Sequence, residues 1–412
     1  MPDLELLSPA GDMECLRAAL RFGADAVYVG GPRLQLRAAN AGFTMDGLGQ
    51  AVREAHALGR RLYVTVNAFP TNRELDALGD YAQGLFALGA DAAIVADMGA
   101  VAVMRKAAPR LPIHISTQAN CLNYAAAMAW RDMGASRVVL AREMTLEQIR
   151  ELRARTPADL ELEAFVHGAM CMAWSGRCML SAYLTGRSAN RGACTQSCRW
   201  RYHLTEEKRP GEFFPVEEDD RGTTILSSHD LNCLDFLDQI AGAGVTSFKI
   251  EGRMKSPYYV ATVTNAYRLR LDGLKDGTAD PETLTLLQRE LNAVSHRTYA
   301  SGFYFGEMKR HAPDGGVYRQ DCVFVGTVRQ RLGNGRARVE LRNRVAEGDL
   351  LEVLSPGRLG RPLIAKGLTL PDGTPAAQVV EPMTLFDMDA PKGLEPGDLL
   401  RRRIGGADKV LL

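Results

Sequence analysis

The sequence predicts an α/β chain: a (β/α)8 TIM-like barrel with an inserted cysteine-rich loop, followed by a small antiparallel β-barrel domain. Three observations predict it. Eight short apolar runs alternate with stretches of helical periodicity through the first 255 residues. The lead-ins "FGADAVYVG", "LGADAAIVAD", "MGASRVVLAR" and "AGVTSFKIEG" repeat one device, a glycine that ends a helix just before an apolar strand. After about Arg319 the texture changes to short strands separated by Gly, Pro, Asn and Asp turns.

The barrel strands are expected, in order, at Leu4–Gly11, Ala26–Gly31, Leu62–Phe69, Ala92–Asp97, Ile113–Asn120, Arg137–Glu143, Leu162–Gly168 and Ser247–Arg253. Patterns such as "MECLRAALRF" and "LGDYAQGLFAL" supply helices between them. An open doubly wound sheet is the competing arrangement, but no G-x-G-x-x-G follows any strand. Beyond the eighth strand, "SPYYVATVTNAYRLRLDGL" and "DPETLTLLQRELNAVSH" read as two helices, the second opened by Asp280 and Pro281. The short strands "CVFVGTVRQ", "RARVELRN", "GDLLEVLSP", "LIAKGLTL" and "GDLLRRR" complete the chain. The expected domains are residues 1–315, with the cysteine loop at about 168–225, and residues 316–412.

Composition narrows the function. Charge is balanced, 50 basic residues against 49 acidic, so binding to RNA must use a local patch. The start, "MPDLELLSPAG", lacks the basic and apolar regions of a signal peptide, and no apolar run reaches the roughly 18 residues of a membrane span. A cytoplasmic location without membrane association is expected, and reducing conditions there disfavour disulfides. Oligomeric state is not legible.

Four of the 8 cysteines, Cys171, Cys178, Cys194 and Cys198, crowd the loop after the seventh strand. A zinc ribbon offers two close-spaced pairs, and only Cys194 and Cys198 form one. Cluster ligand sets tolerate wider spacing. By spacing alone an iron–sulfur cluster, zinc and a catalytic thiol stay open. Cys15, Cys121, Cys233 and Cys322 are scattered and read as small buried apolar residues.

The segment "FVHGAMCMAWSGRCMLSAYLTGRSANRGACTQSCRWRY" resembles the signature of the collagenase-like peptidase family, and within it the branch of prephenate-dependent tRNA uridine hydroxylases. "ELLSPAGDMECLRAALRFGADAVYVGGPRLQLR", "HISTQANCLNY", "LSSHDLNCLDFL" and "GVTSFKIEGRMKSPYYVATVTNAYR" agree with that branch in the same order, so the resemblance spans nearly the whole chain. It implies a [4Fe–4S] cluster on Cys171, Cys178, Cys194 and Cys198. It also implies hydroxylation of the tRNA wobble uridine to 5-hydroxyuridine, with prephenate as co-substrate in place of molecular oxygen. Related branches act on ubiquinone or ribosomal RNA. The segment "HLTEEKRPGEFFPVEEDDRG" is shorter here than in some tRNA-acting relatives, so RNA contacts made through a longer insertion do not carry over.

A second constellation lies at the strand ends: Glu5, Asn67, Asp97, Gln118, Asn120, Glu143, His167, Lys249, Glu251 and Arg253. A barrel directs such residues to one mouth, although helix capping and polar packing compete for each. In "KIEGRMKS", Lys249 and Arg253 are expected to hold the carboxylates of prephenate, with Glu251 orienting one of them. An internal salt-bridge network is the alternative. His167 is expected to move a proton or donate to substrate, against packing on a backbone carbonyl. Arg187, Arg191, Arg199 and Arg201 offer charge to tRNA phosphates or to the cluster, and Trp174, Trp200 and Tyr202 offer faces to a base or pack over the cluster. A peptidase is disfavoured, since neither H-E-x-x-H nor G-x-S-x-G occurs. A non-catalytic, zinc-stabilised RNA-binding protein is the other class of reading.

Overall fold

A computed structural model describes residues 4–36, 42–170, 180–187, 193–197, 229–306 and 318–404, together with short strands between 204 and 225 for which only the backbone is described. Eight parallel strands form the first sheet: β1 (Glu5–Ala10), β2 (Ala26–Gly30), β3 (Arg61–Val66), β4 (Ala92–Val95), β5 (Ile113–Ile115), β6 (Ala135–Val139), β7 (Glu161–Ala169) and β8 (Ser247–Ile250). Each pairs with the next, and β8 pairs with both β7 and β1, at Ser247↔Glu163 and Glu5↔Ser247, so the barrel closes. The predicted fold class is the observed one.

The strands read as near-continuous apolar runs because helices cover one face and the lumen buries the other. Leu7, Ala26, Tyr28, Tyr63, Ala92 and Ile94 form one buried cluster. Helices begin where short polar side chains satisfy their first amides. Thr44, Asp97 and Asn123 accept from Gly47, Ala100 and Ala126, and Thr145 with Gln148 forms a capping box.

Three expectations are corrected here. Asp97 is occupied as the cap of the helix Met98–Ala107, its Oδ1 2.9 Å from the Ala100 amide, and not as a mouth group. Glu5 opens β1 and so lies at the opposite end of the lumen from the strand C-termini. The fifth strand stops at Ile115, and "TQAN" forms a 3-10 turn in which Asn120 takes a left-handed φ of 53°. Asn tolerates that conformation, so the turn ends the strand early.

The end of β7 is extended by other backbone. Asp230–Asn232 runs antiparallel to it, with Asn232 opposite His167, and Tyr299–Ala300 runs parallel to Asp230–Asn232. A buried ion pair, Asp230 with Arg297 at 2.7 Å, ties these two segments together.

The chain divides into two compact units. The first comprises Met1–Leu16, Ala24–Lys255 and Arg297–Val317; the second comprises Arg17–Gly23, Ser256–His296 and Tyr318–Leu412. In the second unit the two predicted helices appear at Pro257–Asp276 and Pro281–Leu291, each with proline in its first turn and a capping Ser256 or Asp280. Strands β9 (Cys322–Leu332), β10 (Arg336–Leu341), β11 (Leu350–Leu354), β12 (Arg361–Ile364), β13 (Leu385–Asp389) and β14 (Leu399–Arg403) make an antiparallel sheet ordered β12-β11-β14-β9-β10-β13. It curls around Val325, Val328, Val339, Leu351, Phe386 and Leu400. Among the described residues no helix is long and apolar enough to cross a membrane.

Candidate active site at the barrel mouth

The lumen of the barrel carries charge. Glu163 on β7 is 0% exposed and its carboxylate meets Lys249 Nζ at 2.7 Å and Arg137 Nη1 at 3.0 Å. Arg137 also reaches Glu5 at 2.5 Å, and Glu5 accepts from Tyr63 at 2.6 Å and Ser247 at 2.8 Å. Two buried carboxylates therefore face two buried cations. Such a set persists only when every partner is in place, because each ion has lost its water. Burial pushes the Glu5 carboxyl up, but the guanidiniums of Arg137 and Arg61 overcome it and hold it below the ordinary range. His114 sits beside this set with its ring 4.7 Å from Tyr63. Burial first, then the positive charges of Arg137, Lys249 and Arg61, push its pKa well down, so it is neutral.

Lys249 is the uppermost charge of the ladder. Its ammonium lies 4.5 Å from the Tyr28 ring centre and 5.4 Å from that of Phe165, an apolar collar open toward the strand C-termini. Above it the mouth holds two more cations. Arg142 donates to Glu251 at 3.0 Å and to the Ala169 carbonyl at 2.8 Å, and stacks 3.8 Å over Phe165. Arg253 donates to Gln35 at 2.9 Å and Thr65 at 3.1 Å. Gly30 makes room for this contact: a Cβ there would fall 1.8 Å from Gln35 Oε1 and 2.6 Å from Arg253 Nη1. Lys249, Glu251, Arg253 and Arg142 line one cleft with Tyr28, Thr65, Asn67, Ser116, Gln118 and Phe165. Its wall also holds buried acceptor atoms with no hydrogen-bond partner, Asn67 Oδ1 and Gln118 Oε1.

The structure thus brings Lys249, Glu251 and Arg253 together. His167 lies elsewhere: it is buried, its ring packs at 5.4 Å on Tyr299, and it is not among the residues lining the cleft. Sequence reasoning missed Glu163, Arg137, Arg142, Tyr28 and Gln35. A signal existed for Glu163, since "ELEAF" places charges at alternate positions of an otherwise apolar strand, the period of a luminal face. No local pattern marks Gln35, which reaches the site from the loop after β2.

Of the four loop cysteines, Cys171, Cys178 and Cys198 lie outside the described residues, as do Arg191, Arg199, Arg201, Trp174, Trp200 and Tyr202. Cys194 is described as a half-buried free thiol. The Gln196 amide points at its sulfur at 3.4 Å, and Gln196 takes a left-handed φ of 57°. Ser181, Thr195 and Ser197 link their hydroxyls at 2.9 and 3.0 Å, and Ser181 also donates to the Arg187 carbonyl at 2.7 Å. An amide aimed at a cysteine sulfur suits a thiolate bound to iron, whose potential and charge such bonds stabilise. By contrast Cys15, Cys121, Cys233 and Cys322 are buried, and burial raises all four thiols, Cys15 to about 12 and Cys121 and Cys322 to about 11.

Two family models cover the chain: peptidase family U32 matches residues 11–313 and the peptidase family U32 C-terminal domain matches residues 320–401. The chain belongs to peptidase family U32. The family expected from the cysteine segment is the one found. Among U32 relatives, "tRNA hydroxylation protein P" of Escherichia coli strain K12 is 37% identical over 398 residues, 85% of this chain and 86% of the relative. The "23S rRNA 5-hydroxycytidine C2501 synthase" of the same strain is 39% identical over 277 residues, 67% of this chain and 40% of the relative. A Porphyromonas gingivalis protein named "Collagenase" is 33% identical over 337 residues, 79% of each chain. The relatives are thus named for RNA hydroxylation and for proteolysis.

Proposed function

We propose that this chain hydroxylates RNA, with the wobble uridine of tRNA as substrate, 5-hydroxyuridine as product and prephenate as co-substrate. The observation that carries the reading is the cleft itself: three cations, Lys249, Arg142 and Arg253, converge on the C-terminal end of a closed barrel, where such barrels place chemistry. A carboxylate bound there would share Lys249 with Glu163 and Arg142 with Glu251, which already pair with them. Among the described residues that line the cleft, serine, threonine and amide groups have no histidine or thiol beside them, which does not favour a peptidase reading. The names of two relatives, for tRNA and for ribosomal RNA hydroxylation, favour RNA as the molecule acted on.

Each side chain then has a task. Arg253, fixed by Gln35 and Thr65, and Lys249, fixed by Glu163, present N–H groups to carboxylates at positions set before substrate arrives. Glu251 holds Arg142 with its guanidinium carbon over the Phe165 ring. Tyr28 and Phe165 exclude water around the ammonium and strengthen its attraction for an anion. Cys171, Cys178, Cys194 and Cys198 would hold a [4Fe–4S] cluster, which supplies one-electron redox chemistry when bound.

The test is anaerobic purification followed by iron and sulfide measurement and nucleoside mass spectrometry of undermodified tRNA incubated with and without prephenate. We expect 5-hydroxyuridine only with prephenate, and Cys194→Ser to lose both iron and product. Zinc in place of iron and sulfide, or 5-hydroxycytidine in ribosomal RNA in place of the tRNA product, would replace this reading.

A further inference from the structure

The cations leave one wall of the cleft unexplained. Asn67 follows β3, and Ser116 and Gln118 follow β5. The three are joined: Asn67 Nδ2 donates to Ser116 Oγ at 3.4 Å, and the Gln118 backbone N–H donates to the same oxygen at 3.3 Å. Asn67 is 9% exposed. After these bonds are made, Asn67 Oδ1 and Gln118 Oε1 are both buried acceptors with no donor. Buried polar atoms in native proteins are almost always satisfied, so two such oxygens on the wall of one cleft mark where an N–H or O–H donor, from a ligand or a water, belongs. A carboxylate cannot meet that need, because it only accepts.

We infer that Gln118, seconded by Asn67, reads the edge of the target base and selects uracil over cytosine. The inference rests on the hydroxylase reading above and deepens it. A carboxamide presents a C=O acceptor beside an N–H donor. Uracil presents N3–H between two carbonyls, so one carboxamide can accept from N3–H and donate to O4 in a single planar contact. Cytosine reverses both atoms, with a bare N3 and an amino group at C4, and the same contact would set acceptor against acceptor at N3 and donor against donor at C4 unless the amide turned over. Ser116 resists that turn at Asn67, where it already accepts from Nδ2. The wall supplied by the residues that follow β3 and β5 is therefore the base side of the cleft, and Lys249, Arg253 and Arg142 are the carboxylate side.

The test uses the holoprotein and an anticodon stem-loop RNA carrying either uridine or cytidine at the wobble position, with prephenate. Hydroxylation of each RNA is measured for the wild type, Gln118→Ala, Gln118→Glu and Asn67→Ala. Gln118→Glu keeps the volume and an acceptor but removes the donor, so it reports on recognition even if the alanine variant folds poorly. We expect kcat/KM on the uridine RNA to fall about 10- to 100-fold in both Gln118 variants, the size of one lost two-point base contact. The uridine-to-cytidine ratio should fall toward one, with KM for prephenate unchanged. A wild-type ratio retained in both Gln118 variants overturns the base-reading role and leaves the hydroxylase reading standing, as does a rise in prephenate KM with no change in ratio. No product from the wild type on either RNA overturns both.

Discussion

Lys249 and Glu163 set the chemistry of the cleft floor. Neither has water to turn to, so their charges are held by each other and, through Glu163, by Arg137. Removing one partner of a buried pair leaves an uncompensated ion, and Glu163→Gln is expected to cost about 3–5 kcal/mol in a denaturant titration. The double variant Glu163→Leu with Lys249→Met should recover much of that, because the charges leave together. Activity should fall in all of these. A Glu163→Gln protein as stable as wild type would show that Lys249 finds another counter-charge. Lys249 was legible as a site residue because a charge at the end of an apolar strand is conspicuous. Its buried counter-ion was not singled out, because choosing among several acidic residues requires knowing which strands become neighbours.

At the scale of elements, the mouth depends on where strands stop. Gly168 near the end of β7 has a φ of +104°, and a Cβ there would meet the Glu251 carbonyl at 2.7 Å and the Glu251 Cβ at 2.9 Å. Gly168→Ala is expected to destabilise by about 1–3 kcal/mol and to displace Glu251, freeing Arg142 from its fixed position. A stable Gly168→Ala enzyme with wild-type KM for prephenate would disprove the link. The eight strands were legible in order because apolar runs with glycine-ended helices between them admit few architectures. Their ends were less so: β8 stops at Ile250 rather than Arg253, and the fifth strand gives way to the turn that carries Gln118. Turn residues compete with ladder bonds there, and propensity alone does not rank them. The short strands after Arg319 were read correctly as antiparallel because dense turn signals leave no room for crossover helices.

For the molecule as a whole, buried titratable groups fix its response to acid. His114 is neutral when folded and its pKa lies well below the ordinary 6.5. The unfolded chain therefore binds a proton that the folded chain refuses, and stability should fall as pH drops below about 6.5. Glu5 and Asp230 titrate below their ordinary values, Asp230 because Arg297 and Lys255 outweigh the effect of its burial. Their stabilisation is present above the unfolded carboxylate range of about 4 and is lost as pH falls through the folded values. Melting temperature against pH should thus show two declines, and His114→Phe should flatten the upper one. An unchanged upper decline in that variant would place its origin elsewhere. The sequence by itself determined the class of fold, the family and the crowding of thiols after the seventh strand, because periodicity and motif order are properties of the chain alone. Only the tertiary structure decided that Lys249 is neutralised from below by Glu163, that Glu5 belongs to the far end of the lumen, that His167 packs on Tyr299, and that Asn67 and Gln118 share one wall. Those facts depend on which strands close the barrel and at what register, and a shift of one residue would turn each side chain to the other face.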